Sequence, residues 1–334
     1  MIPIKTFVKI LVNTIIGLVL ILIWLHFVNI KEILTQISKV SLSGLIPVFF
    51  FMFLSPFLRA LRLKIFLSKI QKINLKDLFF LNGAAMVLNF FIPIRIGEVV
   101  KGVFLNTNYG VNLGKAVIWI FLDRFVDFLV VLLSTAILLL VIPTSVSQSI
   151  VVTMVVIFAV ALFCTYFAIF RAGFAKKIVS FIKHIFILNS IKIYFERLSL
   201  FILDSFSILR REHKELTILG ILTVLAYGAD AAIWYFTFIA LGSPQSFIKM
   251  YLGQMFSALT YLIPAAPGYV GSAEASGLLI LSGIFGIGNN LASAMIVLFH
   301  ILSALFVIIF GLVSIFSLKL DLGAVFRKAF RKGN

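Results

Sequence analysis

Acid is scarce in this chain, and so are cysteine and histidine. Only 12 Asp and Glu stand against 29 Lys and Arg, giving a formal net charge of +17. One cysteine, Cys164, excludes an internal disulfide and carries no information about redox compartment. The four histidines at positions 26, 184, 213 and 300 are scattered, with no second ligand at metal-binding spacing, so neither a metal nor a cofactor is expected. Nor does any small-residue cleavage motif follow the first apolar run, which argues against a removed signal peptide.

Apolar residues fill the space these absences leave. The chain is 62% hydrophobic, where soluble proteins are about half apolar. Runs near the roughly 20 residues that cross a bilayer recur throughout, which predicts an all-α polytopic membrane protein. The bases gather at the ends of these runs. That is the pattern of inner-face loops and anionic lipid surfaces, and it excludes reading the charge as nucleic-acid binding.

In chain order, spans are expected at 8–28, 42–58, 116–142, 150–170, 216–242 and 291–318. Residues 59–77 carry Arg59, Arg62, Lys64, Lys69, Lys72 and Lys76 against Asp77, and read as cytoplasmic. The uncharged loops at 143–149 and 284–290 read as external, and both termini fall inside. Residues 171–215 read as an amphipathic inner-face linker, with Ile178, Phe181, Ile182, Ile185 and Phe186, then Leu198, Phe201, Ile202, Phe206 and Leu209, at helical spacing. A single transmembrane domain, 1–334, thus divides into a half at 1–170, the linker, and a half at 216–334.

Two apolar stretches break in the middle. FFIPIRIG places Pro93 before Gly97, and YLIPAAPG places Pro264 before Gly268. Pro264 follows Pro93 by 171 residues, about half the chain, and each break lies between two short arms flanked by long spans. This predicts two re-entrant broken-helix hairpins. By loop charge the first opens inward and the second outward, an inverted repeat of the kind that marks a transport site near the midplane.

Charge gathers near these breaks. A charge at the bilayer centre costs about 2.5–3.5 kcal/mol on insertion scales, and the span 116–142 holds Asp123, Arg124 and Asp127. Arg124 reads either as the binder of an anionic headgroup or as the structural partner of Asp127 three residues on. Arg95 sits at the first break, where a half-helix starting near Gly97 would offer backbone N–H groups to a phosphate. Glu98 and Glu274 read as first-turn carboxylates or as proton-binding groups. Asp230, mid-span, needs a base, for which Arg124 or Arg95 are the candidates. Arg59 and Arg62 read as interfacial anchors or as a collar for phospholipid headgroups. Asn89 reads as a partner for the opened backbone, and His300 as a packing residue more readily than a proton relay.

Taken together, these stretches resemble the transmembrane domain of lysylphosphatidylglycerol synthase/flippases. The resemblance rests on R-x-x-R (Arg59, Arg62), N-x-x-x-P-x-R-x-G-E (Asn89, Pro93, Arg95, Gly97, Glu98), D-R-x-x-D (Asp123, Arg124, Asp127) and P-x-x-P-G-x-x-G-x-x-E (Pro264, Pro267, Gly268, Gly271, Glu274). It implies a cell-membrane lipid flippase or scramblase-like transporter acting on an anionic phospholipid or lipid-linked phosphate, and not an enzyme. The alternatives are an accessory subunit of a separate lipid synthase, or an intramembrane lipid-phosphate enzyme. The expected partners are membrane lipid and either a second copy or a synthase. Where the family tends to carry Arg in its last span, this chain has His300, and no aminoacyl-transferase stretch follows residue 334, so synthesis of lysyl-lipid is not expected.

Overall fold

The computed structural model describes residues 4–68, 70–92, 96–183, 192–193, 195–196, 199–200, 203, 213–260 and 266–323. Among these every regular element is a helix and no strand is present. Twelve helices carry the description: α1 (Ile4–His26), α2 (Ile30–Ile37), α3 (Ile46–Leu67), α4 (Leu75–Phe91), α5 (Ile96–Tyr109), α6 (Leu113–Val141), α7 (Gln148–Phe170), α8 (Ala172–Ile182), α9 (His213–Ala240), α10 (Phe247–Thr260), α11 (Ser272–Leu278) and α12 (Asn289–Ser317). A one-turn 3-10 helix, Ser43–Leu45, leads into α3, and α11 continues as a π-helical segment, Leu279–Ile284.

Four described stretches are long and apolar enough to cross a membrane: Ser43–Leu67, Leu113–Val141, Thr217–Ala240 and Asn289–Ser317. The pair Leu11–His26 and Ile30–Ile37, bent by 89°, makes a fifth if it counts as one span. Their outward faces are apolar, as lipid requires: Leu140 is 74% exposed and Phe316 77%. Residues 29–41, between the first two expected spans, are largely helical. Asn29 caps α2, its Oδ1 accepting from the Lys31 and Glu32 N–H groups at 3.0 and 3.4 Å, a start signal hidden by the shortness of the helix. The second span also runs on to Leu67 rather than stopping near residue 58. The arginines that seemed to end it are paired inside the protein, so nothing drives them to the interface.

Two antiparallel packings organise the bundle. Along α3 and α9, Gly44 lies against Ala240 at one end and Arg62 meets Thr223 at the other. Along α4 and α12, Gly83 faces Phe310 and Ser314, and Gly311 faces Val87. Small residues let helix backbones approach closely in lipid, where no hydrophobic force draws helices together. One core joins Leu63, Phe66, Leu81 and Trp119 with Leu219 of α9. A second joins Trp234, Met250, Leu281 and Met295 with Leu139 of α6.

The short helices lie between these. At about 1.5 Å per residue, the 17 residues of α4 and 14 of α5 each fall short of a hydrocarbon core about 30 Å thick. The same holds for the 14 residues of α10. The Tyr109 hydroxyl donates to Asp77, tying the end of α5 to the start of α4. Partial burial, then this hydrogen bond, pushes the Tyr109 hydroxyl up to about 12. In the linker, α8 exposes Phe174, Ile178 and Phe181, as an interfacial helix would. Ile185, Phe186, Leu198, Phe201, Ile202, Phe206 and Leu209 lie outside the described residues.

Candidate functional site

Four helices bring charge to one place in the apolar bundle. On α3, Ser55, Arg59 and Arg62 follow the i, i+4, i+7 spacing of one helix face, as do Thr223, Tyr227 and Asp230 on α9. Because α3 and α9 run antiparallel, the two faces meet. α5 adds Glu98 and Lys101, and α6 adds Asp123, Arg124 and Asp127.

Arg62 is the hub and is 1% exposed. Its Nε donates to Asp123 Oδ1 at 2.8 Å, and its Nη1 donates to Thr223 Oγ1 at 2.7 Å and to Asp127. Arg124 approaches the same two carboxylates from the other side. Its Nη2 is 2.7 Å from Asp123 Oδ2 and its Nη1 3.1 Å from Asp127 Oδ2. Each aspartate is therefore held between two guanidinium groups. Arg124 extends to Glu98, with Nε 4.0 Å from Oε1, and Lys101 lies 3.5 Å from the other Glu98 oxygen. Beside this group, Arg59 Nη2 bonds Asp230 Oδ2 at 2.7 Å and Ser55 Oγ donates to Asp230 Oδ1 at 2.5 Å. The Arg59 guanidinium sits 5.3 Å from the Tyr227 ring centroid, within cation–π range.

The described cluster holds Arg59, Arg62, Lys101 and Arg124 against Glu98, Asp123, Asp127 and Asp230, equal in number. Balance is what allows ions to remain in a low-dielectric bundle, since an uncompensated one is strongly destabilising. The cluster is not sealed. Arg62, Lys101, Asp123 and Asp127 form a buried floor, whereas the Arg124 side chain is 38% exposed. Glu98, Arg59 and Asp230 are open to a lesser degree. Arg124 Nε and Glu98 Oε2 are buried and meet their ionic partners only at 4.0 and 3.5 Å, beyond and at the limit of hydrogen-bond length, so the pairing is looser here than around Arg62.

The breaks are built differently from one another. At the first, Asn89 Oδ1 accepts from Gly97 N–H at 2.7 Å, so one N–H of the α5 start is occupied by α4, as expected for Asn89. A Cβ at Gly97 would overlap the Ala85 carbonyl, which explains the glycine there. Pro93 and Arg95 lie outside the described residues, as does Pro264 at the second break. There, Pro267 opens a 3-10 turn, Pro267–Tyr269, and Gly268 and Gly271 adopt φ of 69° and 81°, which favour glycine. The Gly271 N–H donates to Glu274 Oε2 at 2.7 Å, the expected helix-start arrangement. The end of α4 touches the second turn: the Phe90 ring lies against Gly268 and 6.2 Å from Tyr269.

Three expectations need correction. Asp230 pairs with Arg59, not with Arg124, because α3 rather than α6 lies along its face. Arg59 and Arg62 are not interfacial anchors, since both are paired inside the bundle. The Arg124–Asp127 pair exists, yet the lock between helices is Arg62, which binds α6 and α9 at once. His300 does more than pack: its two ring nitrogens reach Glu274 and the Gly268 carbonyl. Ser55, Thr223, Tyr227 and Lys101 were not singled out as site residues, although the shared i, i+4, i+7 faces on α3 and α9 were visible in the spacing.

No curated protein and no solved structure matches the chain. A family model does match, over residues 9–311, and it takes in all four charged helices and both breaks. The chain belongs to the family described as the lysylphosphatidylglycerol synthase TM region.

Proposed function

We propose that this protein is a cell-membrane flippase or scramblase-like transporter that carries a phosphate-bearing, anionic lipid headgroup between leaflets while the acyl tails stay in the bilayer. The observation that carries this reading is the balanced charge cluster, open at Arg124, inside a bundle whose outer faces are apolar. A headgroup phosphate at that edge competes with Asp123 and Asp127 for the Arg124 fork, and guanidinium binds two phosphate oxygens at once. The exchange keeps every ion paired, which is how a charge crosses hydrocarbon without its full desolvation penalty. Arg95, next to the first break, is assigned to the same path.

The proposed path lies between two half-depth hairpins, α4–α5 and α10–α11, entering from opposite faces in inverted halves, with both termini cytoplasmic. Several contacts support this. Tyr109 meets Asp77 at the open end of the first pair, while Ser145, after α6, hydrogen-bonds Gly283 and Ile284 at the end of the second. Arg59 and Asp230, which bond each other, are 171 residues apart in sequence, the same offset as the two prolines. Residues at equivalent repeat positions touch where a pseudo-two-fold axis passes between them.

The test is translocation of a fluorescent phospholipid in proteoliposomes, with Arg95→Ala and Arg124→Ala checked for folding by gel filtration. Both variants are expected to stay folded and lose translocation. Wild-type rates in both would remove the proposal. The family's description as the membrane region of a synthase favours one second reading, an accessory subunit of a lipid synthase. Co-purification with such an enzyme, with no translocation by the chain alone, would select it.

A further inference from the structure

His300, within α12, reaches both ends of the second break. Its Nε2 is 2.7 Å from the Gly268 carbonyl oxygen, which can only accept, so Nε2 carries a hydrogen. Its Nδ1 is 2.5 Å from Glu274 Oε1. A proton between them turns two facing acceptors into a hydrogen-bonded pair. Whether it is counted on the imidazole or on the carboxyl, the pair is neutral overall. The other Glu274 oxygen accepts from Gly271 N–H at 2.7 Å. The turn from Gly268 to Gly271 is thus tied to α12 through both imidazole nitrogens.

We infer that Glu274 and His300 form a proton-binding site that, when occupied, latches the second break against α12. With the proton gone, an imidazole lone pair faces a carboxylate, and attraction becomes repulsion. Of the two imidazole contacts, only the one to the Gly268 carbonyl then still holds the turn to α12. α1 leans on the same turn, because a Cβ at Gly271 would overlap the Gly17 carbonyl and one at Gly17 would lie 2.7 Å from Ala266 Cβ. Release of the latch therefore also loosens the seat of α1.

The acids on the neighbouring helices are engaged elsewhere, and on α10, which also carries Lys249, the Tyr251 hydroxyl donates to the Val224 carbonyl. On α2, Glu32 accepts from Asn290. On α4, Asp77 is held by Tyr109, and on α9, Asp230 is held by Arg59. The side chains of α1 from 11 to 26 include one titratable group, His26, which packs on Phe27, and the π-helical segment has none. Phe90 of α4 and Tyr269 of the turn bring aromatic rings to the break. Among the described residues no third charged side chain pairs with Glu274 or His300.

Any coupling of this proton to lipid movement rests on the proposed transport function; the latch itself does not. Hydrogen exchange of the purified protein, followed on a peptide spanning 266–274, reads the latch directly. After correction for intrinsic exchange, protection of the Gly271 amide is expected to fall several-fold from about pH 5 to about pH 8, the range in which histidine charge changes. His300→Gln and Glu274→Gln are each expected to flatten that profile. A flat wild-type profile, or a slope that persists in either variant, would overturn the inference. A pH-dependent latch in a protein that moves no lipid would leave the proton site standing and remove the transport reading alone.

Discussion

At the residue scale, Arg62 holds the charged centre together. It neutralises Asp123 and Asp127 and bonds Thr223, so one side chain joins α3, α6 and α9. Removing one partner of a buried ion pair costs about 3–5 kcal/mol, because the other charge remains unpaired. Arg62→Ala is expected to lower thermal stability in detergent by about that amount, and Arg62→Lys to recover only part of it, since an ammonium lacks the planar fork. A small effect of Arg62→Ala would mean that Arg124 alone neutralises both aspartates. The sequence made the charges themselves legible, because Asp123, Arg124 and Asp127 interrupt an apolar run. Their partners were not legible from any single stretch. Asp230 needed a base, but whether Arg59, Arg95 or Arg124 supplies it depends on which helix lies along α9.

At the element scale, the expected span at 150–170 is helical but is not among the membrane-length stretches of the described residues. Four of the long spans and the helix ends at Phe91 and Thr260 followed from the pattern of apolar runs and Pro/Gly interruptions. The helix at 30–37 did not, because eight residues with one cap look like a loop in a hydropathy reading. The extension of α3 to Leu67 was hidden for a related reason. Basic residues after an apolar run ordinarily mark the interface, and only an internal acid on another helix reverses that meaning. Gly97 was legible as a breaker, but its closer role is steric: it lets α5 start against the Ala85 carbonyl and receive Asn89. Gly97→Ala is expected to push α5 from α4 and cost about 1–3 kcal/mol, the usual range for overpacking. Because α5 carries Glu98 and Lys101, the same substitution is expected to reduce lipid translocation by more than the loss of folded protein explains, measured as rate per folded molecule. An unchanged rate would detach the first break from the charged cluster.

At the scale of the whole molecule, two features belong together. Charged side chains from α3, α5, α6 and α9 balance one another inside an apolar bundle, and two pairs of helices too short to span a bilayer touch through Phe90 and the Gly268–Tyr269 turn. Short helices alone would be a packing irregularity, and a charge cluster alone would be a structural lock. The proposed transport path draws on both. The loop charges that set the expected sidedness were read from sequence, and the four positions that flank the broken pairs decide it. Lys72 and Asn108 flank α4–α5, and Ser246 and Gly288 flank α10–α11; all four are exposed. Single cysteines at these positions, in a Cys164→Ser background, can be labelled on intact cells with a membrane-impermeant maleimide. Opposed hairpins require Ser246→Cys and Gly288→Cys to label from outside, and Lys72→Cys and Asn108→Cys to label only after permeabilisation. Labelling of the two flanks of either pair from different faces, or of all four from the same face, would contradict the opposed arrangement on which the transport path depends.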